Sequence, residues 1–186
     1  MTTFWKNFIL IAIIAAIPAT ATAQGRVPTT DSGAVGGDVG VFLARDPDLD
    51  TGLTLEGFYE YYMTPRLSVR TGLGWSNPRY HAHRDPDASL RHFRIAVDLL
   101  HNWEGGSVHP FVGAGLGTYF LQRRRGGANF GDSETQLGGT VLGGVEIFTG
   151  PTLAIKAEGR YHLVRRAFGL LDPDGFALTV GLKKYF

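Results

Sequence analysis

Arg91-His92-Phe93-Arg94-Ile95-Ala96-Val97-Asp98-Leu99-Leu100 sorts its side chains into two sets, with Phe93, Ile95, Val97 and Leu99 in one and Arg94, Ala96, Asp98 and Leu100 in the other. A period of two is that of a β-strand, whose successive side chains point to opposite faces. Residues 153–162 repeat it, with Leu153, Ile155, Ala157, Gly159 and Tyr161 against Ala154, Lys156, Glu158, Arg160 and His162. Carried outward from these two segments, the same reading gives strands over residues 35–43, 53–62, 67–75, 91–103, 111–120, 137–148, 153–163 and 176–186. The set is even in number and contains no helical period.

The connections are as informative as the strands. Met63-Thr64-Pro65-Arg66, Glu104-Gly105-Gly106-Ser107 and Thr149-Gly150-Pro151-Thr152 are short turns built on proline or glycine. The other four, residues 44–52, 76–90, 121–136 and 164–175, are longer and polar. Short and long alternate strictly, as in barrels with brief periplasmic turns and longer external loops. The competing architecture is a soluble, lipocalin-like barrel with its apolar face turned inward around a ligand.

Facing separates the two. Asp38, Glu56, Glu60, Asp98, Glu146 and Glu158, with Arg70, Arg94, Lys156, Arg160 and Lys183, fall on one side of the strands. Six acids against five bases suits a narrow interior, because a charge removed from water must be paired and hydrogen-bonded. The opposite face is aliphatic, with aromatic residues near the strand ends. Trp75, Phe93, Phe120, Tyr161 and Phe176 are expected at the outer membrane–water interface, and Tyr61, Trp103 and Phe186 at the inner one. Lys184, on the apolar face, is expected to snorkel to the inner interface.

Composition agrees. The 186 residues carry 18 Lys+Arg and 17 Asp+Glu, a net charge of +1. That near-balance argues against a nucleic-acid binder, which needs a basic face. The absence of cysteine removes disulfides, thiolate metal sites and cysteine nucleophiles. No run reaches the roughly 18 apolar residues of a spanning helix, and all 26 glycines follow residue 23. At the N-terminus, Lys6 precedes an apolar run over residues 8–17, then Pro18 and the small residues Ala21 and Ala23. This is the plan of a secretory signal cleaved before Gln24. Residues 1–23 are therefore expected as signal peptide, 24–34 as a short N-terminal segment and 35–186 as an all-β, eight-stranded antiparallel up-and-down transmembrane β-barrel.

Three segments, Pro110-Phe111-Val112-Gly113-Ala114-Gly115-Leu116-Gly117, Arg160-Tyr161-His162 and the terminal Lys184-Tyr185-Phe186, resemble the small eight-stranded outer-membrane barrels of the OmpA-like and opacity-protein-like group. The resemblance implies a bacterial outer-membrane location and a terminal Phe186 read by the barrel-assembly machinery. No peptidoglycan-binding domain is expected after Phe186. The architecture hosts structural proteins, adhesins and lipid enzymes alike, so it specifies fold better than activity.

Candidate chemistry is concentrated in the connections. Gly113, Gly115 and Gly117 on the inner face suit room for neighbouring large side chains better than a channel. Asp46-Pro47-Asp48, Asp85-Pro86-Asp87 and Asp172-Pro173-Asp174 are turn formers with a secondary capacity for divalent cations. Arg79, Arg84 and Arg91, and especially Arg123, Arg124, Arg125, Arg165 and Arg166, offer guanidinium forks to lipopolysaccharide phosphates. His81 and His83 lack further fixed ligands for zinc. Ser133, in Gly131-Asp132-Ser133, is the candidate nucleophile of an alternative lipid A- or phospholipid-modifying enzyme, but it lacks a positioned base. The expectation is a monomeric, non-catalytic barrel without cofactor, metal or nucleic acid, with outer-membrane lipids and lipopolysaccharide as its partners.

Overall fold

The structure, a computed structural model, describes residues 28–80, 88–126, 128–165, 167 and 172–186. The signal segment 1–23, the start at Gln24, His81, His83, Arg84, the Asp85-Pro86-Asp87 turn and Arg166 lie outside those residues.

The described chain forms β1 (Gly33–Ala44), β2 (Gly52–Thr64), β3 (Leu67–Asn77), β4 (Ala88–Asn102), β5 (Val108–Arg125), β6 (Ala128–Phe148), β7 (Leu153–Val164) and β8 (Gly175–Tyr185). Each strand pairs antiparallel with the next, and β8 returns to β1 from Ala34↔Tyr185 to Ala44↔Gly175, so the sheet is a closed barrel. Closure leaves no free sheet edge around the wall, which is what lets β-structure cross a bilayer.

Alternation sets the two faces of the wall. Val97 is 52% exposed while Asp98, the next residue, is 1% exposed. Outward positions are aliphatic, as lipid demands. Inward positions hold the charges, and they also hold aromatic residues the alternation had left unremarked: Phe58, Tyr62, Phe111, Tyr119 and Tyr185 are all buried. These rings occupy lumen volume that charged side chains alone would leave to water.

The inward glycines of β5 make room. Gly115 lies opposite Asp98, and a Cβ there would strike the Asp98 carboxylate. Turn glycines do a different job. Gly106, between β4 and β5, sits at φ +71°, in the left-handed region that favours glycine.

One expectation is corrected. Residues 121–136 are not a loop: β5 continues to Arg125 and β6 begins at Ala128, with Gly126 at the tip in the left-handed region. The pairing slips by a bulge between Gln122 and Arg124 and continues to Arg125↔Ala128. Polar sequence suggested a loop because no apolar set marks this stretch. Beyond the membrane, however, a hairpin is held by backbone hydrogen bonds and needs no lipid-facing side chains. Smaller shifts bring Gly33 and Ala34 into β1 and leave Trp103 and Phe186 just outside their strands.

Candidate functional site

The lumen is organised by the charged residues that alternation places inside it. Arg94 reaches Glu56 at 2.5 Å, and Glu56 also accepts from Arg160 at 3.3 Å. Arg160 bridges onward to Asp98 at 2.7 Å and Glu158 at 2.9 Å. Glu158 takes Arg70 at 2.5 Å and Lys156 at 2.9 Å, and Lys156 reaches Asp38 at 2.6 Å. Arg70 then pairs with Glu60 at 2.8 Å, which shares Lys183 at 2.8 Å, and Lys183 closes the path on Glu146 at 2.7 Å. All eleven charged positions thus join one connected set.

Neutral groups extend it. Ser68 donates to Glu60 at 2.6 Å, Thr140 to Asp98 at 2.9 Å, and the Tyr185 hydroxyl to Glu146. The Arg70 guanidinium lies 4.6 Å from the Phe58 ring centroid and the Lys156 ammonium 4.3 Å from the same ring, so one aromatic face serves two buried cations. The signal for these inner rings was available: Phe58 lies between Glu56 and Glu60 at the same parity, and Tyr185 lies two residues after Lys183.

Apolar clusters lie toward both ends of this set. Tyr62, Phe148, Ala154 and Tyr185 cluster at the short-turn end, and Tyr119, Leu121, Val164 and Ala167 at the opposite one. Beneath the second cluster is a cavity of about 20 Å³ lined by His92, Arg94, Tyr119 and His162 among others, the size of one water. The His92 Nε2 and Arg94 Nη1 are buried without a protein partner, while the Tyr119 hydroxyl and His162 Nδ1 are hydrogen-bonded at 2.9 Å. A lumen filled in this way gives ions no continuous aqueous path. Bilayer recordings on the reconstituted barrel should therefore show no defined unitary current, and a stable large conductance would show that the ion-paired plug opens.

At the long-connection end the arginines fall on one hairpin. Arg123, Arg124 and Arg125 stand on the extension of β5, opposite Leu90, Ser89 and Ala88 of β4. Arg125 is exposed and the other two are half-buried, while Arg165, just after β7, is exposed. The Asp-Pro-Asp turns that are described use their carboxylates on backbone. Asp46 accepts from the N–H of Asp48 at 2.9 Å and of Asp172 at 3.1 Å, and Asp174 accepts from Val164 N–H at 2.6 Å. The Arg45 N–H donates to the Asp174 carbonyl at 2.9 Å, so the first and last connections are tied together. No group of three or more His, Asp or Glu residues suited to a metal ion occurs among the described residues.

A sequence profile of the outer membrane protein beta-barrel domain matches residues 8–183. The chain belongs to that family. It is an outer-membrane protein, with its short turns, the start of β1 and the end of β8 at one end of the barrel. None of the curated proteins matches it. Among solved structures it is similar to Neisserial surface protein A, with a TM-score of 0.65 and 16% identity over 83% of this chain and 96% of that one. OprG from Pseudomonas aeruginosa gives a TM-score of 0.64 and 11% identity over 88% and 99%. Ail from Yersinia pestis, in complex with the heparin analogue sucrose octasulfate, gives 0.56 and 13% over 85% and 100%. At these identities the likeness shows the fold alone, and function has to be argued from this chain's own residues.

Two further candidates lie at the edges of the wall. Ser133 is exposed on the β6 extension, paired in register with Gln122. His81 and His83, in the second long connection, lie outside the described residues. Phe186 sits at the seam: its N–H donates to the Gly33 carbonyl at 2.9 Å, and the Gly33 N–H donates back at 3.1 Å. Its ring lies 6.3 Å from that of Tyr59, on the lipid side of the wall. Lys184, also lipid-facing, turns its ammonium to Thr152 Oγ1 at 2.5 Å, at the short-turn end.

Proposed function

We propose that this outer-membrane barrel works without catalysis, contributing to envelope structure and surface contact by binding lipopolysaccharide phosphates at its external end. The observation that carries the reading is the β5–β6 hairpin, which raises Arg123, Arg124 and Arg125 beyond the outer aromatic positions Phe93 and Phe120 on a hydrogen-bonded scaffold. Arg165 and Arg166 follow β7 and extend the same basic character. Guanidinium forks favour phosphate oxygens, and the Ail complex with a polysulfated sugar is a precedent for an anionic ligand on this fold. Phe186 is proposed as the residue the barrel-assembly machinery reads, residues 1–23 as a signal removed before Gln24, and the mature protein as a monomer.

Replacing Arg123, Arg124 and Arg125 together by glutamine should weaken lipopolysaccharide binding by about 3 kcal/mol, roughly a hundredfold, at about 1 kcal/mol per arginine near an anionic surface. Added salt should weaken wild-type binding in the same direction. The enzyme alternative on the same fold is separated by mass spectrometry of lipids from expressing cells. A lipid A or phospholipid modification abolished by Ser133→Ala would replace the non-catalytic reading.

A further inference from the structure

Arg91 is an arginine that neither the lumen nor the hairpin uses. It lies on the outward face of β4 with Phe93, Ile95 and Val97, and stands roughly 7 Å beyond Phe93 toward the external end. Its Nε is buried without a hydrogen-bond partner, and no ion pair to it occurs among the described residues. An unpaired guanidinium at the edge of the hydrocarbon is costly unless an anion meets it.

The wall diagonally below is notched. Gly37 of β1 and Gly57 of β2 are direct cross-strand partners, both facing outward because their neighbours Asp38 and Glu56 face the lumen. A Cβ on Gly57 would meet nothing within 4 Å, and one on Gly37 only the Glu56 carbonyl at 3.5 Å. Leu182 and Leu73 flank the pair in register, and Trp75 and Phe93 stand above it, around a depression of about 620 Å³. The register row slants. It runs from Ile147, at the short-turn end of β6, through Ile155, Leu182, Gly37, Gly57, Leu73, Ile95 and Thr118 to Leu137 near the external end. A depression that follows it climbs from mid-wall on β1 to Phe93, directly beneath Arg91.

We propose that this slanting depression and Arg91 together seat one lipid A molecule of the outer leaflet, with an acyl chain in the Gly37–Gly57 notch and a sugar phosphate on the guanidinium. The depression is continuous with the lipid-facing wall, so what fills it is hydrocarbon. Its upper end lies at the outer aromatic level, which selects the outer leaflet. The unpaired cation selects a phosphate at the head of that chain. The seat rests on the reading that the external end contacts lipopolysaccharide, but it uses none of the hairpin arginines.

Native mass spectrometry of the purified barrel with added lipid A, or in a parallel arm phosphatidylglycerol, tests it. Gly57→Leu fills the notch where there is room for a side chain. Arg91→Gln removes the cation. Gly139→Leu alters an outward glycine on β6, away from the depression. Wild type and Gly139→Leu should retain one lipid A, and Gly57→Leu and Arg91→Gln should each lower the retained fraction by about fivefold to tenfold. Detergent gels run before and after boiling check that each variant is a closed barrel, and if Gly57→Leu does not fold, Arg91→Gln carries the test. Lipid A retention unchanged in the folded seat variants, or equal retention of phosphatidylglycerol, would overturn the seat. Retention lost only on replacing Arg123, Arg124 and Arg125 would leave the hairpin reading standing without the seat. Retention kept in that triple variant but lost in Arg91→Gln would do the reverse.

Discussion

Glu158→Ala should cost the barrel about 3 to 5 kcal/mol of stability in lipid, the cost of leaving buried charges without their partner. Glu158 is where three cations meet: Arg70 at 2.5 Å, Lys156 at 2.9 Å and Arg160 at 2.9 Å. Removing it strips a carboxylate from each where all four side chains are buried. Arg160→Ala should fall in the same range, since it releases Asp98, Glu56 and Glu158 together. Urea titrations of refolding into vesicles give the numbers. A loss below about 1 kcal/mol would mean that the lumen charges behave like solvated surface pairs.

Val97→Arg should be nearly as damaging for the opposite reason. Val97 is on the lipid side of β4, in register with Leu116 and Thr71. A charge at mid-bilayer depth on that face costs about 2 to 4 kcal/mol, whereas Val97→Leu should stay within about 1.5 kcal/mol. The same vesicle titration reads both. An arginine variant as stable as wild type would mean that position 97 does not meet hydrocarbon.

The barrel wall was legible in the sequence because lipid on one side and a closed lumen on the other impose opposite demands on successive residues. Arg94-Ile95-Ala96-Val97-Asp98 satisfies both at once, and the balanced charges on one face separate it from a soluble barrel with its apolar side turned inward. Legibility fades where the membrane stops. In Leu121-Gln122-Arg123-Arg124-Arg125 and its partner Ala128-Asn129 there is no apolar face to mark strand from loop, so the hairpin extension went unread. The lumen charges could be placed by parity, but their partners could not. Arg70 of β3 meets Glu158 of β7 across the lumen, and nothing in local sequence encodes which strands face each other through the interior. Arg91 opens the expected strand 91–103 and was read with the neighbouring loop arginines; with β4 beginning at Ala88 it lies three residues inside the wall. Gly37 and Gly57 become a notch only once β1 and β2 are in register.

The tie between the first and last connections, set beside the Phe186–Gly33 pair, bears on how such a cylinder could fail. A closed sheet made from one chain has a single join at which neighbouring strands are far apart in sequence, here β1 against β8. Its two ends are where unzipping would ordinarily begin, since terminal segments open at the smallest free-energy cost. In this protein each end of the join is fastened by a different device. Reciprocal backbone hydrogen bonds hold the inner end. The Asp46 carboxylate on Asp172 and the Arg45 N–H on the Asp174 carbonyl hold the outer end. Lateral opening of the hoop therefore has no free corner from which to start, and loosening either clasp should show first as faster unfolding in lipid.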